Sequence, residues 1–309
     1  MTGTGDHPTS APATIDIHIL GPLLVRRDGE HIALTRTQAL LLLILLSAAG
    51  QPVSKYSLQR RVYDREPDRG TDQTMRRHVK DLRDTLVAGA PPGHNTKAIV
   101  TTRLGGHAAY CMNPTLVRVD AHRFEQHVAA GAAALHARRW AEAALEFQIA
   151  DSLWRSDPMP DVADKPFAAT WITRLNNWRR ISVTGYAESF IRLGRHREVI
   201  PALRAHAARF PGDSRLWRLL ITAEYADGRD GDTAQTLRDA ITAFHDEGLD
   251  PGCFRQLQYA VLTLALPRNG SLALDFDNIP GSPAPPRPAS LPRALEPVHG
   301  HATLPGHVQ

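Results

Sequence analysis

The sequence predicts a mainly α protein with an N-terminal winged helix-turn-helix domain of the α+β type, followed by an all-α, tetratricopeptide-like domain. Two observations support this fold class. Short β-type segments, three helical segments and a hairpin follow one another near the N-terminus, which is the winged-helix order. Farther along, two turn motifs repeat at the period of a tetratricopeptide. With 309 residues, the chain is long enough for two domains with separate cores.

The predicted winged helix begins with short strands over residues 15–20, 23–26 and 31–34. Asp28-Gly29 separates the last two strands, and Asp-Gly between β-type segments is typical of a tight turn. Thr35 or Thr37 is positioned to cap a helix that runs through residues 40–48. Because this helix is apolar almost all round, we expect it to be buried.

Two further helices and a hairpin complete this domain. The helices are predicted over residues 56–63 and from residue 71 or 72 to residue 86. The strands of the hairpin are predicted over residues 99–103 and 107–111, on either side of a glycine-containing turn. In a winged helix, the third helix enters the major groove and the hairpin forms the wing.

After residue 119 the sequence changes to long segments rich in Ala, Leu and Arg, which predict helices. Leu193-Gly194-Arg195 and Asp227-Gly228-Arg229 lie 34 residues apart, and each closes one helix before another opens. Pairs of helices repeated at this period stack into a curved scaffold. Pro201 lies inside one predicted helix, which we expect it to kink or restart because proline lacks a backbone donor.

These changes divide the chain into four segments. The expected segments are a disordered N-terminus (residues 1–14), a winged-helix domain (15–112), a helical domain (119–266) and a disordered, proline-rich tail (267–309). Residues 15–112 carry 14 Lys and Arg against 9 Asp and Glu, although the whole chain has a formal net charge of only +4. A local positive excess suits a polyanionic partner such as nucleic acid.

The sequence lacks the signatures of several other protein classes. The longest apolar segment is far shorter than the roughly 20 residues of a bilayer span, so we expect no membrane span. Residues 1–14 have no basic segment before an apolar stretch, so we expect no secretory signal and a cytoplasmic protein, which DNA binding would place at the nucleoid. Cys111 and Cys253 have no CxxC partner, so neither a disulfide framework nor a zinc site is predicted. No phosphate-binding loop, hydrolase motif or metal-ligand spacing of histidines occurs, and we therefore expect no enzyme, metal or cofactor.

The third predicted helix combines an apolar stripe with a cationic arc. The stripe consists of Met75, Val79, Leu82 and Leu86, and the arc on the other side consists of Gln73, Arg76, Arg77, Lys80 and Arg83. Guanidinium groups can read guanine edges while other cations contact phosphates, so we predict that the arc binds DNA. The alternative is a solvated charged face, which an isolated helix would favour but the winged-helix order does not.

The predicted wing adds two cations. Arg103 lies in its first strand and Lys97 lies at its base. A cation beside a narrow minor groove gains from the negative potential of the groove, so we predict that both residues contact DNA. Arg26 and Arg27 are expected to lie in a turn rather than on DNA.

Four stretches of the chain resemble the Streptomyces antibiotic regulatory protein family. They are LGPLLVRRDGEHIAL, QPVSKYSLQRRVY, HVKDLRDTL and VRVDAHRFEQHVAAGAAAL, and the later HDEGLDPG is similar to the close of the family's second domain. The resemblance implies an OmpR-like winged helix joined to a bacterial transcriptional activator domain. The sequence departs from the family pattern at Tyr63, Arg77, Asp81 and Gly106-His107.

The same resemblance implies a sequence-specific activator of a secondary-metabolite gene cluster, such as one for an antibiotic. It implies binding to promoter direct repeats as a tandem homodimer, and contact with RNA polymerase and its sigma factor. The alternative function is a tetratricopeptide-like adaptor whose winged helix binds protein rather than DNA. Salt dependence separates the two, because phosphate contacts release counterions and weaken steeply with ionic strength.

Overall fold

The structure is a computed structural model that describes residues 14–64, 66, 71–88 and 97–263. The N-terminal elements are β1 (Ile15–His18), β2 (Leu24–Arg27), β3 (Glu30–His31), α1 (Arg36–Ser47), β4 (Val53–Ser54), α2 (Lys55–Tyr63), α3 (Thr71–Val87), β5 (Ile99–Leu104), β6 (His107–Met112) and β7 (Val117–Val119). One sheet has the order β3-β2-β1-β7 and a second has the order β4-β6-β5. The winged-helix order is confirmed, with β4 and β7 as short strands that carry no alternating pattern in the sequence.

Helix α1 begins at a capping box. The Thr35 hydroxyl accepts a hydrogen bond from the Gln38 N–H at 3.3 Å, and the Gln38 side chain accepts one from the Thr35 N–H at 2.8 Å. Of the two predicted caps, Thr35 is therefore the one used. Leu41, Ile44 and Leu45 are fully buried, which confirms the prediction that α1 is a buried helix.

The helical elements are α4 (Asp120–His136), α5 (Trp140–Ser152), α6 (Pro166–Arg192), α7 (His196–Arg209), α8 (Ser214–Ala226), α9 (Asp230–Asp246) and α10 (Gly252–Thr263), with a 3-10 turn at Pro160–Val162. Helix α7 continues through Pro201, so the predicted restart is wrong. The buried side chains of Val199 and Leu203 on either side hold the helix despite the missing donor. The predicted tail, and residues 1–13 of the predicted disordered N-terminus, lie outside the described residues.

One type of turn joins α4 to α5, α6 to α7 and α8 to α9. The first residue after each turn is Arg139, Arg195 or Arg229, whose N–H donates to the carbonyl of Ala134, Phe190 or Glu224 at 2.9, 2.8 and 2.9 Å. The preceding residue adopts a positive φ, which is 75° at Gly194 and 78° at Gly228. Arg138 occupies the same position in the first turn with a φ of 57°. The sequence indicated only two turns because the first has arginine in place of glycine.

The contacts divide the described chain into two compact units. The N-terminal unit contains residues 14–16 and Val25–Arg118, and the helical unit contains Ile17–Leu24 and residues 119–263. Within the helical unit, the buried carboxylate of Asp120 accepts hydrogen bonds from the N–H groups of Ile19 at 2.9 Å and Leu20 at 3.2 Å. The Arg155 N–H donates to the Leu20 carbonyl at 2.8 Å. The segment 17–24 is therefore held by α4 and the connection between α5 and α6.

Candidate nucleic-acid interface

Helix α3 has the two faces that its sequence predicts. Met75, Leu82 and Leu86 are fully buried and Val79 is 1% exposed, so the apolar stripe is confirmed. The side chains that point to solvent instead are those of Gln73, Arg76, Arg77 and Lys80. Because the stripe packs in the domain core, these four residues of the cationic arc face solvent from a helix that is held in place.

The cations of the arc are accompanied by carboxylates. Asp72, in the first turn of α3, pairs with Lys55 at the start of α2 and lies 3.4 Å from the guanidinium of Arg76. Arg77 lies 3.7 Å from Asp81, one turn farther along the helix. The side chains of Arg76 and Arg77 are 64% and 81% exposed, and such exposed pairs contribute little free energy. Both guanidinium groups are therefore available to exchange a carboxylate for another acceptor.

Sequence reasoning missed the contribution of Lys55 and Asp72. Lys55 follows Ser54, whose hydroxyl caps α2 by accepting a hydrogen bond from the Ser57 N–H at 3.1 Å. Ser54 was the signal in the sequence that could have indicated this position, because a capping serine places Lys55 in the first turn of α2. The ion pair itself joins two helices and has no local signature in the sequence.

Arg83 has a different environment from the other cations of the arc. Its side chain is half-buried, and its Nε donates to the Ile99 carbonyl of β5 at 2.9 Å. Its Nη2 donates to the Thr101 hydroxyl at 2.6 Å. The guanidinium carbon also lies 5.7 Å from the centre of the Tyr110 ring on β6. This residue joins α3 to the hairpin.

Strands β5 and β6 form the predicted wing. They pair antiparallel from Ile99 opposite Met112 to Leu104 opposite His107. Gly105 and Gly106 form the turn with φ values of 56° and 80°, a region that glycine adopts at little cost. Arg103 on β5 and Lys97, just before β5, are both exposed.

Arg27 caps the C-terminal end of α3. Its Nη1 donates to the Leu86 carbonyl at 2.9 Å, and its Nη2 donates to the Ala88 carbonyl. The last carbonyls of a helix have no partner within the helix and carry partial negative charge, so a guanidinium stabilises them. Arg27 lies at the end of β2, while the neighbouring Arg26 is exposed.

The described residues contain no group of three or more His, Cys, Asp or Glu side chains arranged to hold a metal ion. Cys111 and Cys253 are half-buried free thiols, and burial raises the pKa of each. None of the helices in the described ranges is long and apolar enough to cross a bilayer.

Comparisons with known proteins match both domains. The family described as "Transcriptional regulatory protein, C terminal" matches residues 29–109, and the "Bacterial transcriptional activator domain" matches residues 119–262. Regulatory protein DnrI of Streptomyces peucetius is 26% identical over 266 residues, which span 83% of this chain and 96% of DnrI. The transcriptional regulatory protein EmbR of Mycobacterium tuberculosis is 29% identical over 77% of this chain and 60% of EmbR.

A solved structure supports the same arrangement of elements. It is that of Mycobacterium tuberculosis EmbR in complex with low affinity phosphopeptide, with a TM-score of 0.72 and 27% identity. The match covers 85% of this chain and 69% of that chain. The fold and the outward cationic arc, together with these matches, define a DNA-binding transcriptional activator of the winged-helix class. The chain belongs to the Streptomyces antibiotic regulatory protein family, which joins these two domains.

Proposed function

We propose that this protein binds promoter DNA through α3 and the wing. The residues that meet the DNA are Gln73, Arg76, Arg77 and Lys80 on α3, and Lys97 and Arg103 at the wing. Arg83, which the sequence placed in the same arc, lies between the two surfaces and joins them. The supporting observation is that Gln73, Arg76, Arg77 and Lys80 are exposed on α3 while its apolar stripe is buried. An outward helix of this kind fits the major groove, and a two-stranded hairpin beside it reaches the adjacent backbone or minor groove.

Within this interface, Arg76 and Arg77 read base edges and Lys80 contacts a phosphate. A guanidinium group presents a fork of donors that matches the O6 and N7 acceptors of guanine, whereas an ammonium group acts as a point charge. Arg103 and Lys97 contact the backbone or a narrow minor groove, where cations are favoured.

Fluorescence anisotropy on a labelled promoter duplex, measured at increasing salt concentration, tests this function. We expect the logarithm of the binding constant to fall linearly with the logarithm of the salt concentration. The slope of this line should correspond to the release of several counterions. Arg76→Ala should abolish specific binding and Lys80→Ala should weaken it, with circular dichroism and the melting temperature unchanged. Arg123→Ala removes an exposed arginine of α4 and serves as the control of equal charge. Binding without salt dependence, or equal losses in all three variants, would favour an adaptor that contacts protein.

In the proposed division of labour, residues 15–112 recognise DNA and residues 119–266 contact RNA polymerase and its sigma factor. The regulated genes belong to a secondary-metabolite cluster, which is the role that membership of the Streptomyces antibiotic regulatory protein family supports. The protein acts at the nucleoid in the cytoplasm and has no enzymatic role. Reconstituted transcription with the purified polymerase holoenzyme tests the activator role, because DNA binding alone does not raise the rate of initiation.

We also propose that two protomers bind direct repeats in tandem on one face of the duplex. One winged helix buries a small surface, and a single module of this size gives limited affinity. Inserting about 5 bp between the repeats rotates one site by half a turn and should abolish cooperative binding, whereas about 10 bp should partly restore it. Footprints that do not change with spacing would instead indicate independent monomers.

A further inference from the structure

We infer that Arg83 is a positioning residue, which sets the wing relative to the DNA-binding helix. The inference rests on the proposed function, since it concerns how α3 and the wing reach DNA together. Arg83 donates from α3 to the Ile99 carbonyl at 2.9 Å and to the Thr101 hydroxyl at 2.6 Å, so that both bonds join the helix to one strand of the wing.

The position of β5 in its sheet explains how these two hydrogen bonds fix the hairpin relative to α3. Among the strands of the described residues, β5 lies at the edge of the β4-β6-β5 sheet, with β6 as its neighbour on one side. An edge strand has backbone groups without a strand partner, and the Arg83 Nε supplies a donor to one of them. The hydroxyl of Thr101 gives a second bond two residues farther along β5. Two bonds separated along a strand resist rotation of the hairpin about a single point.

The aromatic ring of Tyr110 extends this contact to the second strand of the wing. The guanidinium carbon of Arg83 lies 5.7 Å from the ring centre, within the range of a cation–π interaction. Tyr110 is 5% exposed and pairs in register with Thr101 on β5 and with Val53 on β4. Arg83 therefore contacts both strands of the hairpin, and the ring it contacts is fixed by the core.

This arrangement separates Arg83 from the residues that read DNA directly. Within the described residues, Arg76 and Arg77 pair with carboxylates of their own helix, whereas Arg83 donates to a backbone carbonyl and a hydroxyl of its own domain. A guanidinium that leaves these partners for DNA would give up both bonds. Arg83 acts on affinity by keeping Arg103 at the distance from α3 that simultaneous groove contacts require.

A double-mutant cycle in the full-length chain tests this assignment, with affinity for the promoter duplex as the measurement. Arg83→Met removes the donors and keeps an apolar stem, and Arg103→Ala removes the wing cation. We expect Arg83→Met to weaken binding about tenfold in the wild-type background and less than about twofold in the Arg103→Ala background. Additive losses in the two backgrounds would overturn the assignment and indicate direct DNA contact by Arg83.

A second pair of variants keeps Arg83 and changes a single hydroxyl group in each case, so we expect both variants to fold. Thr101→Val removes the hydroxyl acceptor at an exposed position, and it should weaken binding and reduce hydroxyl-radical protection of the DNA segment under the wing. Tyr110→Phe retains the ring and should bind as the wild type does. Unchanged affinity in Thr101→Val would overturn the assignment. If the wild-type chain itself fails to bind duplex DNA, the proposed function fails instead.

Discussion

The ring of Phe147 on α5 packs directly against the backbone of Gly185 on α6. A methyl group on Gly185 would overlap the ring, and one on Gly131 of α4 would come within 2.9 Å of it. Phe147 is 1% exposed. Two helical glycines thus allow one aromatic side chain to join three helices of the activator domain.

We expect Gly185→Ala to lower the free energy of unfolding by about 1–3 kcal/mol, because the added methyl group overpacks a core with no room for it. Gly231→Ala is the matched control, since a methyl group on Gly231 of α9 meets nothing within 4 Å. That control should stabilise the protein by about 0.4–1 kcal/mol through the unfolded state. Urea denaturation measures both variants, and equal stability of Gly185→Ala and the wild type would contradict the packing described.

The capping of α3 by Arg27 gives a second prediction. Arg27→Met should lower stability by about 1 kcal/mol and should weaken DNA binding, because the last turn of α3 loses its donors. Arg26→Met removes the same charge from the adjacent exposed position and should leave the melting temperature of the protein unchanged. Matching losses in the two variants would mean that net charge, rather than the cap, accounts for the effect.

The carboxylate beside Arg77 gives a third prediction, which concerns specificity. Asp81→Asn should raise affinity for DNA of any sequence by about 0.5–1 kcal/mol at low salt, because the variant removes the carboxylate that competes with DNA for Arg77. Because the gain applies to specific and non-specific DNA alike, the ratio of the two affinities should stay unchanged. Asp84→Asn, at an exposed position on the same helix, controls for the change in net charge. The idea is wrong if both variants give the same affinities.

His206 gives a prediction about pH. Burial lowers the pKa of its imidazole below the ordinary value, and the guanidinium groups of Arg179 and Arg209 lower it further, against an opposing effect of Asp151. Between the two pKa values, His206 is protonated in the unfolded chain but neutral in the folded protein. The contribution of the neutral imidazole to the free energy of unfolding is therefore complete above about pH 6.5 and is lost as the pH falls. His206→Phe should reduce the decrease in melting temperature between pH 7.5 and 5.5, as measured by differential scanning calorimetry. An unchanged decrease would contradict this.

The sequence predicted the features that depend on local periodicity. The stripe of Met75, Val79 and Leu82 is set by helical spacing, and the glycine turn of the wing is set by backbone preference, so both were visible along the chain. The outward direction of Arg76 and Arg77 followed directly from the stripe.

The features that depend on distant partners were not visible. Arg83 lies at the border between stripe and arc, and its partners on β5 are separated from it by 16 and 18 positions along the chain. Arg27 caps a carbonyl 59 positions away. No period in the sequence reports such contacts. Arg138 was missed for a different reason, because an arginine in the left-handed region does not resemble the glycine that usually marks this turn.

The placement of Ile17–Leu24 limits how this protein can be recombined with its relatives. Because Asp120 holds the N–H groups of Ile19 and Leu20, a chimera joined at a single point near residue 118 would pair that carboxylate with a foreign segment. Exchange of the helical unit as a whole therefore needs three junctions, after residues 16, 24 and 118, rather than one. A functional hybrid should carry residues 17–24 together with the helices from its own parent, and domain shuffling at the single junction should select compensating changes within those eight residues.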